Sequence, residues 1–592
     1  MTPSQIIVLA TPVFLLLIAI ELAVGYARGR NTYRFDDALT SIGLGMLSQI
    51  SAVFTVALRF GLYTAVFSAV ALVPDKSFWT SPVGWLAALV FYDFCYYWHH
   101  RLGHTSALFW AAHVVHHQSE DYNLSTALRQ TSSGALFGWI FYVPMAVAGV
   151  PPLVFGVVGL IDLLYQYWIH TQQIGRLGWF DRVFASPSNH RVHHAVNDRY
   201  VDKNYGGVFM LWDHLFGSFE DEDPREPCVY GTRSPLKSWD PLWANAEVYA
   251  ALWHESRQAR HWRDKLLVWF QPPGWQSAAM AADSPKTPFD INQVKRFAPP
   301  VSASVRRFAA AQFALLLTGS GLYLWFTDGW PLWQSAVWFA VLLAGLWSVG
   351  AVLQSRIGML EALMIESAAL SMATSATGWI EWHWVFKPLT MLLALAVVGV
   401  FWRAQTGALA AQSKPVVWLV VALTGALAGD VFLMFEGFFI QGLVAFLLGH
   451  LAYLMLFRDR APLFASRPGW LICAVIGAAF YGFLWLNGLP EALRVPVAVY
   501  VSTIVAMGSV AIGRAVVLRD VPSCMVAAGA AFFMISDATL AFNRFVSPLP
   551  HAAIGVLSTY YAAQCLIVMG VLRGLQKTSP AAANKAQPTG ST

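Results

Sequence analysis

Charge is scarce in this sequence: 12% of its 592 residues are Asp, Glu, Lys or Arg, against 57% that are hydrophobic. A chain so poor in charge cannot cover a water-facing surface of this size, which excludes the soluble globular classes. Cysteine is sparse as well. Cys95, Cys228, Cys473, Cys524 and Cys565 form no C-x-x-C pair and mostly lie in apolar runs, so no disulfide framework is expected. The net charge of +5 is spread over short loops and leaves no nucleic-acid footprint, so lipid is the expected partner. No basic residue precedes the first apolar stretch, Ile6 to Tyr26, and no small-residue cleavage site closes it, which argues for a retained helix. Long polar stretches are lacking too, with Gln172 to Pro300 the single one.

What the chain does have is a succession of apolar windows near the twenty residues that cross a bilayer as helix. The expected fold is an all-α polytopic integral membrane protein. Arg28, Arg30 and Arg34 place the end of the first helix in the cytoplasm by the positive-inside rule. Asp37 to Val73, with Gly43, Gly45 and Gly61 as bending points, counts as one net crossing, and Val83 to Trp98 returns inward. A hairpin over Ala135–Val150 and Val154–His170 follows, then the polar stretch as a cytoplasmic cap. From Arg306 onward candidate helices recur to Leu572, and alternate threading gathers Arg403, Lys414, Arg458, Arg460, Arg514 and Arg573 on the inner side. The expected organisation is a histidine-rich membrane domain with its cap over 1–378, a second multi-helix membrane domain over 379–576, and a disordered tail over 577–592.

Tyr96 to His117 leaves an apolar helix and enters a dense run of histidines, with His100 and His104 four apart and His113, His116 and His117 in the pattern His-x-x-His-His. On helices such spacings put imidazoles on neighbouring faces. The pattern returns as His190, His193 and His194, and His170 closes an apolar segment between the two groups. Neutral imidazole is a common nitrogen ligand of first-row metals. Nine histidines exceed what one ion takes, so two metal ions are expected. His99 points elsewhere on its helix, and Glu120, Asp121 and Asn123 are candidates either to hydrogen-bond the ligands or to cap a helix.

HRLGH, HVVHH and HRVHH resemble the pattern of the fatty acid hydroxylase (sterol desaturase) superfamily of membrane di-iron enzymes. Within it, HHQSEDYNLSTALRQ and NHRVHHAVNDRYVDKNYGG are most similar to the alkylglycerol monooxygenase family. That resemblance implies two iron ions, dioxygen, an alkyl ether lipid as substrate, fatty aldehyde as product and a reduced pterin as electron donor. The chain departs from the pattern at Thr105, where an acidic residue is expected, and this leaves the donor open.

Beyond Trp382 the histidine pattern is gone, and ionisable residues inside apolar segments take its place: Asp430 in GALAGDVFLMFEG and Asp537 in GAAFFMISDATLAFNRF. Lys387-Pro388 is expected to open a helix, with the lysine available to balance a buried carboxylate. KPLTM, GDVFL, GLVAFLLGHLAY, GAAFFMISDATLA and STYYAAQCLI resemble the lysoplasmalogenase family. The resemblance implies hydrolysis of a vinyl ether lysolipid. That reaction suits two carboxyl groups as acid and base, here Asp430 and Asp537, with His450, Tyr453, Tyr560 and Gln564 around them. The expected protein is therefore a bifunctional ether-lipid enzyme of the bacterial inner membrane, with its metal site on the cytoplasmic side. The alternatives are a sterol, fatty acyl or carotenoid hydroxylase with an inert second half, and a metal or proton transporter.

Overall fold

The computed structural model describes residues 2–72, 77–404 and 413–577. Among the described residues no strand forms, and pairing between extended segments is confined to two isolated bridges, Phe184 with Phe209 and Ala195 with Tyr230. Eleven helices among them are long and apolar enough to cross a bilayer. The all-α membrane architecture expected from composition is the one the chain adopts. Most of the tail expected over 577–592 lies outside the described residues.

The first apolar stretch forms helix Pro3–Ala27, opened by a capping box in which Thr2 and Gln5 satisfy each other's backbone N–H groups. The long second segment bends where its glycines allow: helix Phe35–Val56 passes through a π-helical turn, Ala57–Gly61, into helix Leu62–Val70. The expected hairpin forms over Gly134–Ala148 and Pro152–Trp168. At about 1.5 Å per residue each leg falls short of a hydrocarbon core about 30 Å thick, so it reads as a re-entrant element.

Two compact units result, residues 1–331 with 349–356 and residues 332–348 with 357–592. This partition differs from a boundary at residue 378, because helix Met359–Ala376 packs on Ile380–Ala404 and Ala552–Lys577. The Ser371 and Tyr561 hydroxyls lie 2.7 Å apart, and Thr390 donates to Ser367 at 3.0 Å.

In the first unit, helix Pro82–Thr105 starts where Ser81 accepts from Gly84 N–H and Pro82 occupies the first turn. Its apolar half is fixed by an aromatic cluster in which Tyr63 stacks on Phe155 at 4.0 Å between ring centres, with Tyr92 and Tyr142 alongside. The helix is thereby held rigid up to the turn that carries the first two histidines.

The second unit is packed through small residues. Helices Ser413–Phe432 and Phe439–Phe457 approach so closely at Gly425 and Gly449 that a Cβ on Gly425 would lie 2.9 Å from Gly449 N and 3.0 Å from the Ala445 carbonyl oxygen. Lys387-Pro388 does not open a helix. That helix begins at Ile380, and Pro388 sits inside it, where the missing N–H frees one carbonyl of the preceding turn. Gly425→Val should destabilise the protein by about 1–3 kcal/mol through overpacking, read as a lower thermal midpoint in detergent. Gly399→Val, with open space at the same helical conformation, should stay near the parent.

Candidate functional site

The nine histidines close into two groups. His100, His104, His113, His117 and His193 form one, and His116, His170, His190 and His194 the other, with one ring nitrogen of each lying within 4.8 Å of the others in its group. Eight are buried and His113 is partly so. Each His-x-x-His-His motif is divided between the two. His113 and His117, four apart, serve the first group while His116 turns to the second; His190 and His194 serve the second while His193 turns to the first. Residues i and i+4 on a helix are about 40° apart, whereas i+3 and i+4 diverge by about 100°, so one short turn feeds two centres. The two groups adjoin, with the His117 and His194 rings stacked at 4.3 Å.

The local structure is what makes this possible. Pro187–His193 starts from a capping box of Ser186 and Asn189, which fixes the turn holding His190 and His193. His113 itself is not helical; it is the residue before the one-turn helix Val114–His117.

Backbone carbonyls set the tautomers. Nδ1 of His100 lies 2.8 Å from the Tyr205 carbonyl, that of His116 2.9 Å from Arg129, that of His170 2.7 Å from Gln166 and that of His193 3.0 Å from Lys203. A carbonyl only accepts, so each Nδ1 carries the proton and each Nε2 presents a lone pair. His116 and His170 then face each other Nε2 to Nε2 at 3.1 Å with no proton between them. Nε2 atoms also approach each other between His190 and His170, His194 and His190, and His117 and His113, at 3.0, 3.2 and 3.2 Å. Two nitrogens on one ion at about 2.1 Å would sit roughly 3.0–3.4 Å apart. Nε2 of His100, His104 and His193 are buried without a protein partner. The residues fit two nitrogen-ligated ions, and the orphaned lone pairs are the reason.

A second layer holds the carbonyls in place. The Asp93 carboxylate accepts from Val208 N–H at 2.7 Å, Phe209 N–H at 3.2 Å and the Trp212 indole at 2.9 Å. Asp213 accepts from Tyr205 N–H, Gly206 N–H and the Ser218 hydroxyl. Together they pin the loop whose Tyr205 carbonyl orients His100. Gly207 is required there, since a Cβ would lie 2.5 Å from an Asp162 carboxylate oxygen. Arg129, fully buried, donates from Nε to the Val115 carbonyl at 2.8 Å while its own carbonyl holds His116.

Glu120, Asp121 and Asn123 do not support the ligands. Asn123 caps helix Leu124–Ala127, Asp121 pairs with Arg34 at 2.9 Å, and Glu120 accepts from Phe297 N–H. His99 stacks on Phe141 away from both groups. Asp93 and Asp213 were missed by the sequence reading. Asp93 carried a usable signal, a lone acid in an apolar helix; the carbonyl acceptors carried none.

In the second unit the two aspartates have different surroundings. Asp430 is buried, accepts from the Tyr560 hydroxyl at 2.6 Å and lies 3.4 Å from Lys387 Nζ. Asp537 accepts from the Tyr500 hydroxyl at 2.6 Å, has His450 Nε2 at 3.2 Å, and lines an apolar cavity of about 440 Å³. Of the other expected residues, Tyr453 donates to Gln564 within the buried network and Tyr560 serves Asp430. Tyr500, one aromatic in an apolar run, gave no sequence signal.

Residues 85–218 match the fatty acid hydroxylase family and residues 382–571 the YhhN family. The chain is 38% identical to alkylglycerol monooxygenase of Homo sapiens over 310 residues, 52% of this chain and 68% of that protein. It is 32% identical to alkylglycerol monooxygenase of Danio rerio over 409 residues, 67% of this chain and 88% of that protein. It is also 34% identical to lysoplasmalogenase TMEM86B of Homo sapiens over 152 residues, 26% of this chain and 62% of that protein. No solved structure matches.

Burial and the neighbouring imidazoles push His100 and His194 well below the ordinary 6.5, and burial with the nearby Arg129 charge brings His116 to about 4. The unfolded chain takes up protons on these rings below about pH 6.5 while the folded chain does not, so their contribution is intact above 6.5 and lost as pH falls toward 4. Chelator-treated protein should therefore melt at progressively lower temperature from pH 7 to pH 5. A flat midpoint across that range would show that the imidazoles are not buried together.

Proposed function

The chain belongs to the alkylglycerol monooxygenase family, and on that premise we propose that it is a bifunctional ether-lipid enzyme, cleaving alkylglycerol ethers with dioxygen through its histidine-rich unit and hydrolysing the vinyl ether of lysoplasmalogens through its second unit. The observation that carries the first activity is the pair of Nδ1-protonated histidines, His116 and His170, facing each other through unprotonated nitrogens. Iron is the metal assigned. One ion would be held by His100, His104, His113, His117 and His193, the other by His116, His170, His190 and His194.

Two ferrous ions held there would, with dioxygen and two electrons from a reductant, supply the oxidising power to functionalise the carbon next to the ether oxygen. The protein's own residues do the rest. The carbonyls of Tyr205, Arg129, Gln166 and Lys203 orient the imidazoles and fix Nδ1 as the protonated nitrogen, while burial keeps the rings neutral. Burial excludes protons and water from the ligands. Oxidation at that carbon gives a hemiacetal that breaks down to fatty aldehyde and glycerol. A reduced pterin is the reductant that the resemblance implies. Thr105 gives its hydroxyl to the Arg101 carbonyl at 2.9 Å and offers no carboxylate, so no residue is assigned to a pterin and no step is drawn through it.

For the second activity Asp537 is assigned the transfer of a proton to the vinyl carbon, with water adding to the resulting oxocarbenium and the hemiacetal collapsing to aldehyde and the glycerophospho head group. Its place on the cavity wall, with Tyr500 and His450 holding one carboxylate oxygen, supports this. Asp430, the other member of the expected acid–base pair, is assigned an electrostatic role opposite Lys387. The basic residues that flank the helices support a bacterial inner-membrane protein with the metal centre at the cytoplasmic rim.

Protein made with ample iron should carry about two iron atoms per chain, a count set by two complete ligand groups. Metal analysis after correction for occupancy checks it, and replacing His113, His116 and His117 together by alanine should abolish binding. A count near one would overturn the pair.

The two activities should separate. His193→Ala should abolish oxygen-dependent alkylglycerol cleavage and spare lysoplasmalogen hydrolysis, and Asp537→Asn should do the reverse in a protein that still melts normally. Asp430→Asn should instead lower stability by about 3–5 kcal/mol, because it strands a buried ammonium. Loss of both activities in a folded His193→Ala protein would argue for one shared site.

A further inference from the structure

The cavity of the second unit runs along helix Val521–Phe545, from Ala527 through Asp537 to Arg544, and these last two are its only charged lining residues. At about 1.5 Å per residue Asp537 stands roughly 15 Å from the Ala527 end and roughly 10 Å from the Arg544 end. The longer section is lined by apolar side chains such as Ile472, Ile476, Val505 and Met534. Arg544 is exposed, and among the described residues it forms no ion pair; its guanidinium lies 4.0 Å over the ring of Phe439, which also lines the cavity. An aromatic face holds a cation in place without neutralising it. Arg544 lies seven residues after Asp537, on the same face of helix Val521–Phe545.

A cavity with a greasy arm, a carboxyl group and then an unpaired guanidinium has the charge order of a single-chain lipid whose ether bond is followed by a phosphate. We propose that Arg544 is the residue that recognises the phosphate of a lysophospholipid, with the vinyl ether beside Asp537 and the hydrocarbon chain running toward Ala527. This rests on the reading of the second unit as a vinyl ether hydrolase and adds to it the orientation and the head-group class of its substrate. A glycerol bridge separates ether from phosphate in such a lipid, and the flexible arginine side chain can adjust to its span. Guanidinium is suited to phosphate because its planar donors pair with two oxygens at once.

The test compares turnover of a 1-alkenyl lysophospholipid with that of the 1-alkenylglycerol of the same chain length, using the full chain in detergent. The parent should prefer the phosphorylated lipid. In Arg544→Gln that preference, as the ratio of kcat/KM values, should fall at least tenfold through KM, and Arg544→Lys should restore part of it. Equal loss on both substrates, or an unchanged ratio, would overturn the assignment.

A photoreactive lysophosphocholine with a saturated ether chain, mapped by mass spectrometry, supplies a readout independent of hydrolysis. It should label helices lining the cavity in the parent and much less in Arg544→Gln. If the parent hydrolyses neither vinyl ether but is labelled in this Arg544-dependent way, the hydrolase reading fails and phosphate recognition stands. Inorganic phosphate should not suppress labelling at concentrations where unlabelled lysophosphocholine does; full suppression by phosphate would make this a free-anion site and overturn the lipid assignment.

Discussion

Everything in the first unit serves one constraint, that neutral imidazoles must present bare Nε2 lone pairs to each other at about 3 Å. Left alone this arrangement is repulsive, and burial makes relief by protonation unfavourable. Four backbone carbonyls impose it by taking the Nδ1 protons of His100, His116, His170 and His193. The loop of the Tyr205 carbonyl is in turn fixed by the buried Asp93 and Asp213, and the Arg129 side chain donates to the Val115 carbonyl.

The second unit solves a different problem, that of keeping ionisable groups among apolar helices. Asp430 is neutralised by Lys387 and Tyr560 in a closed network, whereas Asp537 shares one oxygen between Tyr500 and His450 and keeps access to a cavity. Close approach at Gly425 and Gly449 gives the helices the packing they cannot draw from hydrophobicity in lipid. The same residue type, an intramembrane aspartate, thereby sits in a closed network in one place and on a cavity wall in another.

Both proposed reactions release an aldehyde from an ether lipid, one after oxidation of a saturated ether and one by hydration of a vinyl ether. The fatty acid hydroxylase and YhhN segments thus sit in one chain with related substrate chemistry.

Legible in the sequence alone were the helical, membranous character of the chain, the nine histidines in a metal-ligand pattern, and the placement of Asp430 and Asp537 in apolar surroundings. Each of these is a local signal, since composition, spacing and an isolated charge are read without knowing what lies across the fold. Which group each histidine joins was decided only by the tertiary structure, because the i+3 and i+4 positions of a motif diverge and the remaining members come from other segments. The carbonyls that fix the tautomers and the tyrosine at Asp537 likewise could not be read ahead: a carbonyl is present at every position, and Tyr500 acquires meaning only when its helix packs beside His450. The same packing separates Asp430 from Asp537 in role, since a carboxylate becomes a counter-ion or an acid according to what the neighbouring helix brings to it.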